Sequence, residues 1–505
     1  MTTNNQINTP QDFKHIIILG GGTAGWMTAS LLANRWHEKG IKISVVESPD
    51  IGIIGVGEGS TPSLKIFFDS IGVPESEWMS QCNATYKNGI RFVNWSTTPG
   101  FESYFHPFTS TVDPQTQSIF EYNTVLRRKG INVHAHPDRF FLNTKLAEKS
   151  LSPKANYNFP LPVSYGYHFD ATLIGKFLRE RAIKIGVNHI EAEVCDVVTN
   201  QSGQICSLKT TTDQTLSGDF FVDCSGFKSL LIEKTLNVRH ISFKENLFND
   251  AAVTFPTPIT KSIPSETVST AMKCGWAWKI PLTNRFGNGY VYSSDFCTSD
   301  DAETELRQSL NAMELDSEAR HLKMRVGRFE KHWVKNCLAV GLSQGFIEPL
   351  EATALHFIQA TVGEFMTAVE KGNFSSKHRD TFNHRINRNF EGVRDYIVTH
   401  YKTNSRKDTP YWEACRNNKN ISNSLMQLFT TWVNGENLTK DLRQQDIDKY
   451  YVPISWHVIF AGMGVFPDQS KLKAPGSDLK NFDLSEVDEF IKRCSVNFVP
   501  HAQHL

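Results

Sequence analysis

The sequence predicts an α/β fold: a Rossmann-like, dinucleotide-binding module with insertions, followed by a mostly helical C-terminal lobe. Three observations carry this. Gly20-Gly21-Gly22-Thr23-Ala24-Gly25 sits between an apolar strand over 13–19 and a helical pattern reaching about Lys39. A second strand over 42–47 follows at the spacing of a β-α-β unit. Beyond residue 371, strand signals thin out and the pattern becomes helical and polar.

At 505 residues the chain can bury a large core; hydrophobic residues make up 40% and charged residues 21%, as in ordinary globular proteins. A formal net charge of zero argues against nucleic acid or an anionic membrane as partner. The nine cysteines are scattered without a Cys-x-x-Cys, so neither a disulfide framework nor a metal site is expected. Residues 1–12 are polar and do not read as a secretory signal, and the apolar run 16–33 is broken by its glycine cluster, so a cytoplasmic protein is expected.

Ser60-Thr61-Pro62 reads as a capping residue with proline in the first helical turn, followed by Leu64, Phe67, Phe68 and Ile71 at the spacing of one buried helix face. Polar, proline-bearing stretches at about 109–117, 256–266 and 402–410 read as loops. Residues 220–226 read as a buried strand entering a glycine turn. Residues 337–341 repeat that pattern, before a helix over about 353–369. The expected division is residues 1–370, with about 96–160 contributing to a substrate pocket, and a helical lobe over 371–505.

The glycine run has chemistry as well as shape. Gly20 permits a tight turn, Gly22 lets a pyrophosphate approach the backbone, and Gly25 lets helix and strand pack closely, with Thr23 and Ala24 opening the helix whose N–H groups face the phosphates. Glu47 ends the second strand, 22 residues after Gly25, where an acid can bind a ribose hydroxyl. Spacing alone leaves FAD and NAD open. Asp223-Cys224-Ser225-Gly226, which resembles the second strand-turn of FAD-dependent monooxygenase-like folds, leans towards FAD.

Lys87 stands in Asn83-Ala84-Thr85-Tyr86-Lys87-Asn88-Gly89-Ile90-Arg91-Phe92-Val93-Asn94-Trp95. Read alone, it caps a helix before Asn88-Gly89. Together with the glycine run, Gly55-Val56-Gly57-Glu58 and Ser60 to Leu64, Trp276-Ala277-Trp278-Lys279-Ile280-Pro281 and Gly345-Phe346-Ile347-Glu348-Pro349-Leu350-Glu351-Ala352-Thr353, this segment resembles the flavin-dependent tryptophan halogenases over roughly residues 13–370. That resemblance implies the following. Reduced FAD, delivered by a separate flavin reductase, and oxygen give a flavin hydroperoxide. A halide ion, chloride or bromide, is oxidised to hypohalous acid, and the acid travels through the interior to Lys87, which aims it at one carbon of a small aromatic substrate. Glu351 stabilises the cationic ring and takes its proton. Thr353 and Ala354 hold the halide. Ser48, Ile51, Ile54, Glu58, Gly59, Leu342 and Leu355 face the flavin. Trp276 and Trp278 wall the substrate off from it.

His106 and Phe108 resemble the pair that sandwiches the aromatic substrate, with Tyr450, Tyr451 and Trp456 as the opposite wall. Two departures from the family matter. Its usual Ser-Thr-Gly after the glutamate is Ala352-Thr353-Ala354 here, which opens the halide preference towards bromide. No carboxylate follows Tyr450-Tyr451 to hold an amino acid's charged end, which favours an indole without the zwitterion, or a larger indole-bearing molecule. The alternatives are a flavin aromatic hydroxylase, a catalytically silent FAD-binding protein and, with less support because no second dinucleotide motif is evident, an NAD-dependent dehydrogenase. A homodimer is the assembly considered beside the monomer.

Overall fold

Glycine spacing and apolar runs place the first sheet, and the computed structural model, which describes residues 13–49, 57–156, 158–477, 479–480 and 482–505, shows how the rest is hung from it. Strand His15–Leu19, helix Thr23–Trp36 and strand Lys42–Glu47 form the β-α-β unit, with His15 to Leu19 paired in parallel to Lys42 to Val46. Phe220–Asp223 joins the other side of the first strand, also in parallel. Cys337–Ala339 and Trp333–Val334 extend the sheet at one edge and Asn188–Glu191 at the other. Phe13 lies just before the first strand, stacked on Phe220 at 5.0 Å.

The second large sheet runs Arg320–Lys323, Ala251–Pro258, Arg285–Tyr292, Gly275–Pro281, Thr267–Ala271, Gly89–Val93, Ser103–Pro107. It is antiparallel except between Thr267–Ala271 and Gly89–Val93. A smaller sheet places Gly166–Phe169 between Glu58–Gly59 and Thr85–Lys87. After helix Ala354–Lys371 the chain is mainly helical, with the 24-residue Arg379–Lys402 as its backbone. One exception is Phe498–Pro500, which pairs back onto Leu151–Ala155. A single apolar cluster extends from Phe13 to Phe498, so the helical segment shares its core with the nucleotide module. Among the described residues no helix is long and apolar enough to cross a membrane.

Three sequence expectations need correction. The expected loop 109–117 ends early, because Pro114–Arg128 is helical; the proline occupies the first turn, where its missing N–H costs nothing. The first three residues of the expected loop 256–266 are strand, because Ala251–Pro258 stays paired with Arg285–Tyr292 through Pro258. Its other neighbour pairs only as far as Thr254, so both prolines face an open edge. Ser60 does not cap the following helix, which begins at Ser63 with Leu64, Phe67, Phe68 and Ile71 buried as expected. Its hydroxyl instead accepts from the Tyr167 N–H at 3.0 Å, tying the loop to the small sheet.

Gly89 also has a reason unlike the one read from sequence. It is a strand residue, and a Cβ there would lie 2.3 Å from the His106 carbonyl oxygen on the paired strand. Gly363, on the helix Ala354–Lys371, has open space around it. Gly89→Ala is therefore expected to lower stability by about 2–3 kcal/mol, and Gly363→Ala to raise it by about 0.5–1 kcal/mol, both read by urea denaturation.

Candidate active site

The glycine run forms a cradle whose three glycines do different things. Gly20 has φ +115°, and a Cβ on it would lie 2.2 Å from the Cys224 carbonyl oxygen. A Cβ on Gly25 would lie 1.9 Å from the Gly20 carbonyl oxygen, so helix and strand touch through bare backbone. Gly22, at the helix N-terminus, has nothing within 4 Å, and the first turn carries no acid. An open, uncapped helix N-terminus beside a glycine turn is what a dinucleotide pyrophosphate needs, and the residues fit it. Glu47 lies against Gly21 and is held by His189 Nε2 at 3.0 Å and Arg179 at 3.5 Å. The Ser48 hydroxyl is buried without a partner. Gly341, with φ +69°, packs onto Ala24 from the turn carrying Leu342, and Leu355 is buried on the following helix. Asp223 is a structural acid: its carboxylate accepts from the Ser225 hydroxyl and N–H and from the Leu231 and Ile232 N–H groups. Ile51 and Ile54 lie outside the described residues.

Lys87 ends a strand rather than a helix, paired to Gly166, and is 1% exposed. Its Nζ lies 5.5 Å over the Phe108 ring and 3.2 Å from where a Gly59 Cβ would stand. Burial pulls its amine down to about 8, with Glu351 opposing the shift. Thr85 and Lys87 alternate with Tyr86 along the strand and so face the same side. Thr85 donates to the Pro281 carbonyl at 2.7 Å, which leaves its hydroxyl oxygen to accept from His168 Nδ1 at 3.1 Å. His168 Nε2 then accepts from Thr267 at 2.8 Å. Burial, then the nearby lysine and His501, hold the His168 imidazole neutral, well below its ordinary value. The strand's outer edge is closed by His501, whose Nε2 accepts from the Tyr86 N–H at 3.0 Å.

One short turn, Pro349–Glu351, separates two buried glutamates with opposite behaviour. Glu348 is wholly buried, and burial raises its carboxyl despite hydrogen bonds from Tyr401, Trp276 and Asn249. Burial would raise Glu351 too, but His106, His400 and Lys87 outweigh it and hold the carboxyl below its ordinary value. Its Oε1 is 2.9 Å from His400 Nε2, a close contact off the line of an ideal hydrogen bond. The same turn ends at Ala352 with φ +54°, unusual for alanine. Thr353 then caps the 18-residue helix without a side-chain bond, leaving its N-terminus to the backbone.

An aromatic group surrounds this pair. His106 Nε2 meets the Tyr396 hydroxyl at 2.8 Å. Tyr451 stacks on Tyr396 at 3.4 Å, and Trp456 meets Tyr396 edge-on at 4.9 Å. Tyr450 lies elsewhere, against Gly392 near Arg388, Lys449 and Asp446. Glu58 ends beside Asp170, and burial pushes its carboxyl up to about 7. His168, Thr267, Tyr396, His400 and His501 escaped sequence reading. Each lies far along the chain from the motif it serves, and a lone histidine or threonine leaves no local signal.

A dinucleotide cradle and a buried lysine and glutamate in one α/β core define a nucleotide-dependent oxidoreductase. The family model for tryptophan halogenase matches residues 15–476. The chain is 35% identical over 483 residues to a tryptophan 6-halogenase of Streptomyces albogriseolus, covering 90% of each. It is 32% identical over 482 residues to a tryptophan 7-halogenase of Lentzea aerocolonigenes, again covering 90% of each. A solved tryptophan C-6 flavin-dependent halogenase (chlorinase) from taromycin biosynthesis superposes with a TM-score of 0.83 at 31% identity, covering 97% of this chain and 98% of that one. The chain belongs to the tryptophan halogenase family, enzymes that depend on flavin, and membership implies FAD as cofactor and halide as substrate.

The displaced amine has a consequence for stability. Its native value, about 8, lies below the ordinary 10.5, so between those values the unfolded chain binds more protons, and this group's contribution to stability rises with pH across that window. Below pH 8 the penalty is fully present. Lys87→Met is expected to stabilise the fold at pH 7 by on the order of 2 kcal/mol, with the gap to wild type closing as pH rises towards 10, measured by denaturation at a series of pH values.

Proposed function

We propose that this enzyme places chloride or bromide on an aromatic carbon of an indole-type substrate, using hypohalous acid directed by Lys87. The observation that carries this reading is the buried amine itself: Lys87 is 1% exposed, shifted towards neutrality and within electrostatic reach of Glu351. When bound, reduced FAD with oxygen supplies the oxidation that turns halide into hypohalous acid; halide, oxygen, FADH2 and a proton give hypohalous acid, FAD and water. The cradle at Gly20, Gly22, Thr23, Ala24 and Gly25, with Glu47, Ser48, Ile51, Ile54, Glu58, Gly59, Leu342 and Leu355, holds that cofactor. A separate reductase supplies its electrons.

The amine of Lys87 exists near neutral pH in both protonation states, so it can hydrogen-bond the oxidant as ammonium or capture the halogen as amine. The halogen then passes to the ring carbon. The ring proton leaves to Glu351, which is held ionised by His106, His400 and Lys87 and so suits a base. Aromatic C–H and hypohalous acid thus give the aryl halide and water. Thr353 and Ala354 offer the backbone of a helix N-terminus to the halide. Trp276 and Trp278 act as the wall that keeps the organic substrate from the cofactor.

The substrate ring lies among His106, Phe108, Tyr451 and Trp456, without Tyr450, which packs against Gly392. The relatives' names point to tryptophan, but here no acid follows Tyr450-Tyr451. The buried, unpartnered Tyr104 and Tyr451 hydroxyls and Trp456 Nε1 instead favour neutral hydrogen-bonding substituents on an indole lacking the zwitterion.

Mass spectrometry of an indole panel, with FAD, a flavin reductase, NADH and either halide, is expected to show the halogen isotope pattern on a product. Oxygen insertion without halogen would mark a hydroxylase, and no product from any compound a silent flavin protein. Lys87→Ala is expected to keep FAD binding and cut product at least about a hundredfold. Product at the wild-type rate would remove the lysine from its role. Glu351→Gln is expected to slow turnover about a hundredfold, and an unchanged single-turnover rate would assign the proton elsewhere.

A further inference from the structure

Glu348 shares a turn with Glu351 but takes no part in the chemistry above, and its surroundings are unusual. It is wholly buried, and no lysine or arginine among the described residues pairs with it. Three neutral donors converge instead on one oxygen, Oε2: the Trp276 indole N–H at 2.8 Å, the Asn249 amide at 3.0 Å and the Tyr401 hydroxyl. Asn249 also donates to the Tyr401 hydroxyl at 2.8 Å and accepts from Tyr411 at 2.9 Å, closing the cluster. The cluster draws on strand Gly275–Pro281 through Trp276, the loop just before strand Ala251–Pro258 through Asn249, helix Arg379–Lys402 through Tyr401 and helix Pro410–Asn417 through Tyr411, four stretches far apart in sequence. A carboxyl group buried among neutral donors stays hydrogen-bonded only if the donors stay in place, so Glu348 and its partners fix one another.

We propose that Glu348 is a positioning residue that anchors the Trp276 indole and, through Tyr401 beside His400, sets that indole in register with Glu351. It rests on the halogenase reading for its consequence: an indole wall fixed at its N–H keeps oxidant production coupled to ring halogenation. Glu348 and Glu351 then divide the work of one turn, the first holding the wall and the second facing the ring.

Glu348→Gln keeps the side chain's size but offers a neutral oxygen, a weaker acceptor for three donors. Trp276→Phe keeps an aromatic ring and deletes the N–H. Two readouts are taken on the full chain. The first is solvent exchange of the Trp276 indole N–H, its resonance identified by its loss in Trp276→Phe. The second is halogenated product formed per oxygen consumed, with FADH2 and bromide. In wild type the indole N–H is expected to be strongly protected. In Glu348→Gln its exchange should quicken, and product per oxygen should fall about threefold, with the KM for the indole unchanged. Trp276→Phe should show a similar fall, and the double variant should be no worse than the poorer single one. A purely structural role would lower the melting temperature without moving the product-to-oxygen ratio, and that result overturns the proposal. Unchanged indole exchange in Glu348→Gln, or losses that multiply in the double variant, overturn it too. If wild type yields no halogenated product, the function reading falls, while the exchange measurement still decides whether Glu348 holds the indole.

Discussion

Taking an ammonium out of water is costly, and the protein must offset that cost or let the group lose its charge. At Lys87 it does some of each. Glu351 lies close enough to oppose the loss of charge, and a phenylalanine face lies across from the nitrogen. His168 is held neutral, its two nitrogens fixed by Thr85 and Thr267. An imidazolium there would push the amine further towards neutrality and add a second desolvated cation. Much of the local sequence follows from this: glycine at 59, where a methyl would crowd the nitrogen, a small sheet that buries it, and a hydroxyl on each side of His168.

Two acids one turn apart show how environment divides labour between identical side chains. Glu351 has cationic or ionisable partners and is held as a carboxylate. Glu348 has only neutral donors and is pushed up by burial. Separation of this kind lets one segment hold two carboxyl groups of unlike proton affinity. The left-handed alanine that ends the turn indicates how tightly its path is set, since alanine reaches that conformation only at some cost in free energy.

The nucleotide half was legible in the sequence because its signals are local. The Gly20–Gly25 spacing, the strands before and after it and Glu47 all fall within one β-α-β unit, and the structure keeps their bounds to within two or three residues. Lys87 and Glu351 were visible through motif resemblance, although the sequence offered a helix cap where the lysine strand stands. Hidden were the partners that make the site work. His168, with Thr267 behind it, and His400 come beside Lys87 and Glu351 only after sheets and helices from distant parts of the chain have packed. Proline misled twice: Pro114 starts a helix, and Pro256 sits in a strand whose neighbour stops short. Local composition cannot report where a neighbouring strand ends.

His501 closes the edge of the strand that carries Lys87, 415 positions after the residue it receives, Tyr86. A chain emerging from the ribosome therefore exposes that strand's free N–H long before its partner has been translated. The glycine turn and its two flanking strands are translated within the first few dozen residues, but their sheet is filled in only by Phe220–Asp223 and Cys337–Ala339, and the edge of the strand that carries Lys87 waits for nearly the whole polypeptide. Sealing that edge is thus among the last events of biosynthesis.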